Sequence, residues 1–120
     1  MKVLIIKKTK MTWYFGHIDQ ETLNNDNFRK VLYTGQHAQL VVMSLLPGEE
    51  IGMEVHTSVD QFFRFEAGTG KAILNGEETM VMADDVLIVP AGTNHNIINT
   101  STTDKLKLYT IYSPANHPEG

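Results

Sequence analysis

From residue 31 onward, apolar and polar positions alternate in short runs. "KVLYT", "QLVVMSLL", "IGMEVH", "QFFRFEA", "KAILN", "ETMVM", "VLIVP", "HNIINT" and "KLKLYTIYS" each span roughly 5–9 residues, a usual strand length. Alternation of this kind buries one face of a strand and leaves the other polar. No segment after residue 30 has an apolar period near 3.6 residues, so helices are not predicted there. Turn signals part the runs: Pro47-Gly48, Gly68-Thr69-Gly70, Asn75-Gly76, Asp84-Asp85, Pro90-Ala91-Gly92 and Thr100-Ser101-Thr102. Asn75-Gly76 is the strongest, because both residues tolerate positive φ in a two-residue hairpin. Many short strands at this spacing predict an all-β sandwich or barrel.

The first thirty residues read differently. "VLII", Val3 to Ile6, is a short strand candidate, and "WYFGHIDQETLNNDNFRK" is polar and turn-rich, with a loop at Asn24 to Asn27. The expected organisation is an N-terminal segment over residues 1–30 and a barrel over 31–120 with a short C-terminal tail. Trp13, Tyr14 and Phe15 form an aromatic cluster suited to packing on the barrel or to a subunit interface.

Composition narrows the function classes. A chain of 120 residues fits one domain, and a net charge of -4 argues against nucleic acid as a partner. No basic amphipathic stretch suggests a membrane surface. The Val3–Ile6 run is too short for a signal-peptide core, so a cytoplasmic location is expected. With no cysteine, a metal would have to use imidazole, carboxylate or amide oxygen.

Two clusters of polar residues interrupt the barrel-wall pattern. In a strand, Glu54 and His56 share a face, and Gly52 on that face would make room beside them. Gln61 lies on the face of Phe63 and Phe65, which is expected to be interior. His95 shares a face with Ile97 and Asn99. Interior ionisable groups are costly unless paired or ligated. Glu54, His56, Gln61 and His95 could close around one divalent ion (iron, manganese, nickel, cobalt or zinc) with positions left for a small-molecule ligand or substrate. Glu54, if not a ligand, is the candidate general base. Phe63, Phe65, Ile97, Met43 and Met53 form a candidate apolar wall. Arg64 alternates to the outer wall, where an interface would oblige it to find a carboxylate. His17 and His37 read as surface residues, and His117 lies in a Pro- and Gly-rich tail.

At these residues the chain resembles the cupin family. The family's second motif, G-x5-P-x-G-x2-H-x3-N, is matched by Pro90, Gly92, His95 and Asn99, with Asp84 in the leading Gly slot. The first, G-x5-H-x-H-x3,4-E-x6-G, is matched through Gly68, with Gln61 in the Glu slot, His56 in the second His slot and Glu54 in the first; "PGEEIG" resembles its lead-in. The likeness covers roughly residues 35–113 and extends to small single-domain, mannose-6-phosphate-isomerase-like members.

This resemblance implies a jelly-roll barrel of two antiparallel sheets and a homodimer. It also implies metal ligands at Glu54, His56, Gln61 and His95, while Asn99 fills a position that is not a ligand. Asp60 competes with Gln61, because three or four residues are allowed after His56; only Gln61 keeps the spacing to Gly68. The functions implied are a metal-dependent isomerase or lyase acting on a sugar or sugar acid, or an oxygenase. The alternative is a non-catalytic ligand-binding or vestigial structural cupin.

Overall fold

The structure, a computed structural model, describes residues 12–115. The expectations for "VLII" and His117 lie outside them. Among the described residues, eight strands follow one short helix. α1 is Ile18–Asn24; β1 is Arg29–Thr34, β2 Gln39–Leu45, β3 Asp60–Ala67, β4 Thr69–Leu74, β5 Glu77–Met82, β6 Val86–Val89, β7 His95–Asn99 and β8 Leu106–Ser113. They form two antiparallel sheets, one in the order β1-β2-β8-β3-β6 and one in the order β5-β4-β7. The all-β architecture matches the alternation in the sequence and is a jelly-roll barrel.

The alternation is visible strand by strand. β3 buries Gln61, Phe63 and Phe65, and β8 buries Leu106, Leu108, Thr110 and Tyr112. The core lies between the sheets: Val41, Met43 and Leu45 from β2 and Leu106 and Leu108 from β8 meet Ala72, Val81 and Ile97 from the smaller sheet. Phe63 and Phe65 stack with ring centroids 6.3 Å apart and are almost fully buried. Each large apolar side chain buried this way contributes about 1.5–3 kcal/mol. Asn75 and Gly76 take φ of 49° and 85° between β4 and β5, the two positive values that the tight hairpin requires.

Two local expectations are corrected. "IGMEVH" is not a continuous strand: among its residues and the preceding Glu50, only the isolated bridges Glu50–Ile98 and Glu54–His95 form. Gly48 and Gly52, at φ of 80° and 104°, take the backbone out of the extended region on either side of Glu50. The region around Asn24 is also more than loop. It holds α1, about two turns, whose Thr22 is fully buried and bonds back to the Ile18 carbonyl at 2.6 Å. A seven-residue helix offers too short a period to stand out from turn-rich text.

Candidate metal centre

The inward face of the larger sheet changes character along its length. Phe65 pairs with Leu108 and Phe63 with Thr110; one step further, Gln61 pairs with Tyr112, which pairs with Gln39. Gln39, Gln61, Thr110 and Tyr112 are all buried. The barrel therefore has an apolar end and a polar end, and the polar end carries the candidate ligands.

Glu54 and His56 reach it from the irregular segment between β2 and β3. This segment runs antiparallel along β7. Ile51 donates its N–H to the Ile97 carbonyl at 2.9 Å, while Glu54 and His95 exchange N–H···O bonds of 2.9 and 2.8 Å. The Asn96 side chain fastens it further, accepting from the Gly52 N–H at 2.8 Å and donating to Glu50 Oε1 at 2.7 Å. Gly52 does not make room for the ligands: a Cβ there would meet nothing within 4 Å. Its contribution is its positive φ.

These contacts bring the side chains together. One ligand atom each from Glu54, His56 and His95 lies within 4.8 Å of the others. Glu54 Oε1 is 3.2 Å from His56 Nε2, and the His56 and His95 ring centroids are 5.4 Å apart. Gln61 Oε1 is 3.1 Å from His95 Nε2. Burial differs among the four: Gln61 and His95 are each 3% exposed, whereas the Glu54 side chain is 38% exposed. The carboxylate thus sits at the solvent-reachable corner and the amide in the interior, where a carboxylate would cost more to bury.

The hydrogen-bond chemistry of His95 provides a test of fit to a metal. Its Nδ1 lies 2.9 Å from the Thr93 carbonyl oxygen, which can only accept, so Nδ1 carries the hydrogen. Nε2 then faces the amide oxygen of Gln61 at 3.1 Å, either as an N–H donor to it or as a lone pair; two lone pairs at that distance are reconciled by a cation between them. Two donors each about 2.1 Å from one metal ion at right angles would be about 3.0 Å apart. With a carboxylate and a second imidazole beside them, the residues present fit a divalent ion.

The other candidates fall elsewhere. Asp60 is on the exposed face of β3, and its Oδ1 accepts the Ala91 N–H at 2.9 Å. Asn99 is buried but engaged with backbone, donating to the carbonyls of Leu45 and Asp104 at 3.0 and 2.8 Å. Met43 is core, whereas Met53 is 57% exposed and lines no interior wall. Arg64 lies on the outer face and finds Asp84 at 3.0 Å and Glu66 at 3.6 Å. His17 and His37 are exposed, as are Trp13 and Phe15, while Tyr14 leans on Tyr33.

Sequence reasoning missed the residues behind Gln61. Its Nε2 donates to Thr110 Oγ1 at 2.9 Å. Tyr112, the cross-strand partner of Gln61, is buried and lies near the charges of Arg29 and Glu54; burial, the largest influence, raises the phenol's pKa. The signal was present in "KLKLYTIYS", whose inward positions run Leu106, Leu108, Thr110, Tyr112, apolar and then hydroxyl-bearing.

Residues 41–112 match the family model for the cupin domain. The chain belongs to the cupin family. The Bacillus subtilis protein YrkC is 49% identical to it over 124 residues, covering 98% of this chain and 66% of YrkC; the chain thus spans about two thirds of that relative. A crystal structure of a Bacillus halodurans protein superposes with a TM-score of 0.86 at 38% identity, over 94% of this cupin and 89% of that chain. An oxalate-binding protein of Thermotoga maritima is 32% identical over 62 residues, 52% of this chain and 51% of its own.

The structure also accounts for glycine slots in the cupin motifs. Gly48, which precedes Glu54 by the five intervening residues of the first motif, has φ of 80°. Asp84, in the leading Gly slot of the second, has φ of 77°, a conformation that Asp tolerates better than most residues. At Gly68, φ of 98° is joined by a steric demand, since a Cβ would lie 2.5 Å from the Lys105 carbonyl oxygen.

Proposed function

We propose that this cupin binds a divalent metal ion at the polar end of its barrel and is an enzyme acting on a small polar metabolite. The observation that carries the reading is the meeting of Glu54, His56 and His95 within 4.8 Å, with the Gln61 amide oxygen 3.1 Å from His95. Glu54, His56, Gln61 and His95 would hold the ion, which would supply Lewis acidity toward a carbonyl or hydroxyl oxygen. One carboxylate beside a divalent ion leaves net positive charge, suited to an anionic ligand. The name of the Thermotoga relative supports a small carboxylate.

Within this reading the chain's own residues have distinct duties. His95 is held in one tautomer by the Thr93 carbonyl, with Nε2 presented inward. Glu54, the most exposed of the four, would instead take a proton from a substrate and pass it to solvent where it does not bind the ion. The proposal includes isomerase or lyase chemistry on a sugar or sugar acid, with oxygenase chemistry as the variant. It extends to the mannose-6-phosphate-isomerase-like type, a homodimer and a cytoplasmic setting. No helix among the described residues is long and apolar enough to cross a membrane.

The test is elemental mass spectrometry on protein purified without an affinity tag, beside a His56→Ala, His95→Ala double variant. About one metal ion per chain in the wild type and none in the variant is expected. No metal in either, after incubation with several divalent ions, overturns the proposal.

A further inference from the structure

Gln61 is an unusual candidate ligand because an amide has two faces. Its oxygen can bind a cation and its NH2 group cannot, so the side chain serves a metal in only one of two orientations of nearly equal shape. The chain therefore needs something to hold the oxygen toward His95. In the observed orientation one amide hydrogen goes to Thr110 Oγ1 at 2.9 Å, and Tyr112 occupies the strand position paired with Gln61.

Both residues are themselves fixed. Thr110 is fully buried and Tyr112 is 4% exposed, on the same inward face of β8. Tyr112 is the direct cross-strand partner of Gln61, and Thr110 that of Phe63. Arg29, from the edge strand β1, brings its positive charge near the Tyr112 hydroxyl. The phenol ring also stands edge-on to His56, with centroids 5.8 Å apart.

We propose that Thr110 and Tyr112, with Arg29 behind Tyr112, are positioning residues that set Gln61 as an oxygen donor to a divalent metal ion. This rests on the metal reading above. None of the three touches the ion; each acts through Gln61. In the metal-bound protein the amide oxygen is committed to the cation, and the NH2 group must be satisfied by the two hydroxyl oxygens. Removing one leaves a buried N–H without an acceptor, a cost borne by the metal-bound orientation. Loss of such an outer partner typically weakens metal affinity 10–100-fold.

The experiment uses the whole chain, stripped of metal and titrated with Co2+, which reports both affinity and ligand geometry through its visible absorption. Wild type, Thr110→Val, Thr110→Ser, Tyr112→Phe and Gln61→Ala are compared, each first shown by circular dichroism and thermal unfolding to be folded. Thr110→Val removes the hydroxyl at nearly constant volume, and Thr110→Ser restores it.

The expected result is a Co2+ affinity at least tenfold weaker in Thr110→Val and Tyr112→Phe, an altered absorption band, and recovery of both in Thr110→Ser. In a Gln61→Ala background, Thr110→Val is expected to cost nothing further. Wild-type affinity and spectrum in folded Thr110→Val and Tyr112→Phe overturn the positioning role while leaving the metal site standing. An equal loss from Thr110→Val with and without Gln61 also overturns it, since Thr110 would then act by another route. Failure of the wild type to bind Co2+ removes the metal reading itself and this inference with it.

Discussion

Gly92 donates its N–H to the carbonyl oxygen of His56 at 2.8 Å. The turn that leads into β7, and hence to His95, thereby holds the backbone of a candidate ligand from the other motif. Next to it, Ala91 donates to the Asp60 carboxylate at 2.9 Å. The two bonds pin the Pro90–Gly92 turn against the segment that runs from His56 to Gln61.

Asp60 is therefore expected to act as a clamp and not as a ligand. An Asp60→Ala variant should bind the same number of metal ions per chain as the wild type, with affinity reduced about tenfold or less as the turn loosens. Chelator competition gives the affinity and elemental analysis the stoichiometry. A drop in stoichiometry would place Asp60 among the ligands.

Asp84 combines φ of 77° with an ion pair to Arg64 at 3.0 Å. Comparing Asp84→Ala with Asp84→Gly separates the two, because both lose the carboxylate and only Ala keeps a Cβ. The Gly variant should be more stable than the Ala variant by about 1 kcal/mol, the cost of a left-handed backbone for an L-residue. Denaturant unfolding measures the difference; equal midpoints and slopes would show that the turn relaxes at no cost.

Asp26 receives Lys107 Nζ at 2.9 Å and Lys105 Nζ at 3.0 Å. The Lys107 hydrogen bond, followed by that of Lys105, holds its carboxyl below the ordinary value of 3.8. The folded protein binds this proton less tightly than the unfolded chain. The resulting stability is complete above the ordinary carboxylate value and is lost as pH falls through the depressed one. Asp26→Asn should therefore lower the melting temperature at pH 7, with the gap to wild type closing as the solution is made more acid than pH 3.8. The group is exposed, so the gap should also narrow in high salt.

The sequence was most readable where one physical rule decided the outcome. Period-two alternation placed Gln61, Phe63 and Phe65 on one inward face, and His95, Ile97 and Asn99 on another. Asn75-Gly76 announced its hairpin through φ alone. Glu54 and His56 do point the same way, as alternation implied, but from a loop laid along β7, because Gly48 and Gly52 bend the chain out of the expected strand. The support behind Gln61 was harder still to see. Arg29, Thr110 and Tyr112 are brought to it by strand register, which no local pattern in "NFRK" or "LYTIYS" states.

The bridge between Glu54 and His95 joins a loop to a strand lying far along the chain, and Gln61 meets His95 across 34 positions. Closing such distant contacts requires both sheets, so the donor set is complete only once nearly the whole polypeptide has been organised. Any ion captured there binds the native state alone and shifts the folding equilibrium by mass action, by about 2.7 kcal/mol at a free concentration one hundred times its dissociation constant. Resistance to heat and to proteolysis would then follow the supply of free metal, making persistence of the protein itself a readout of that supply.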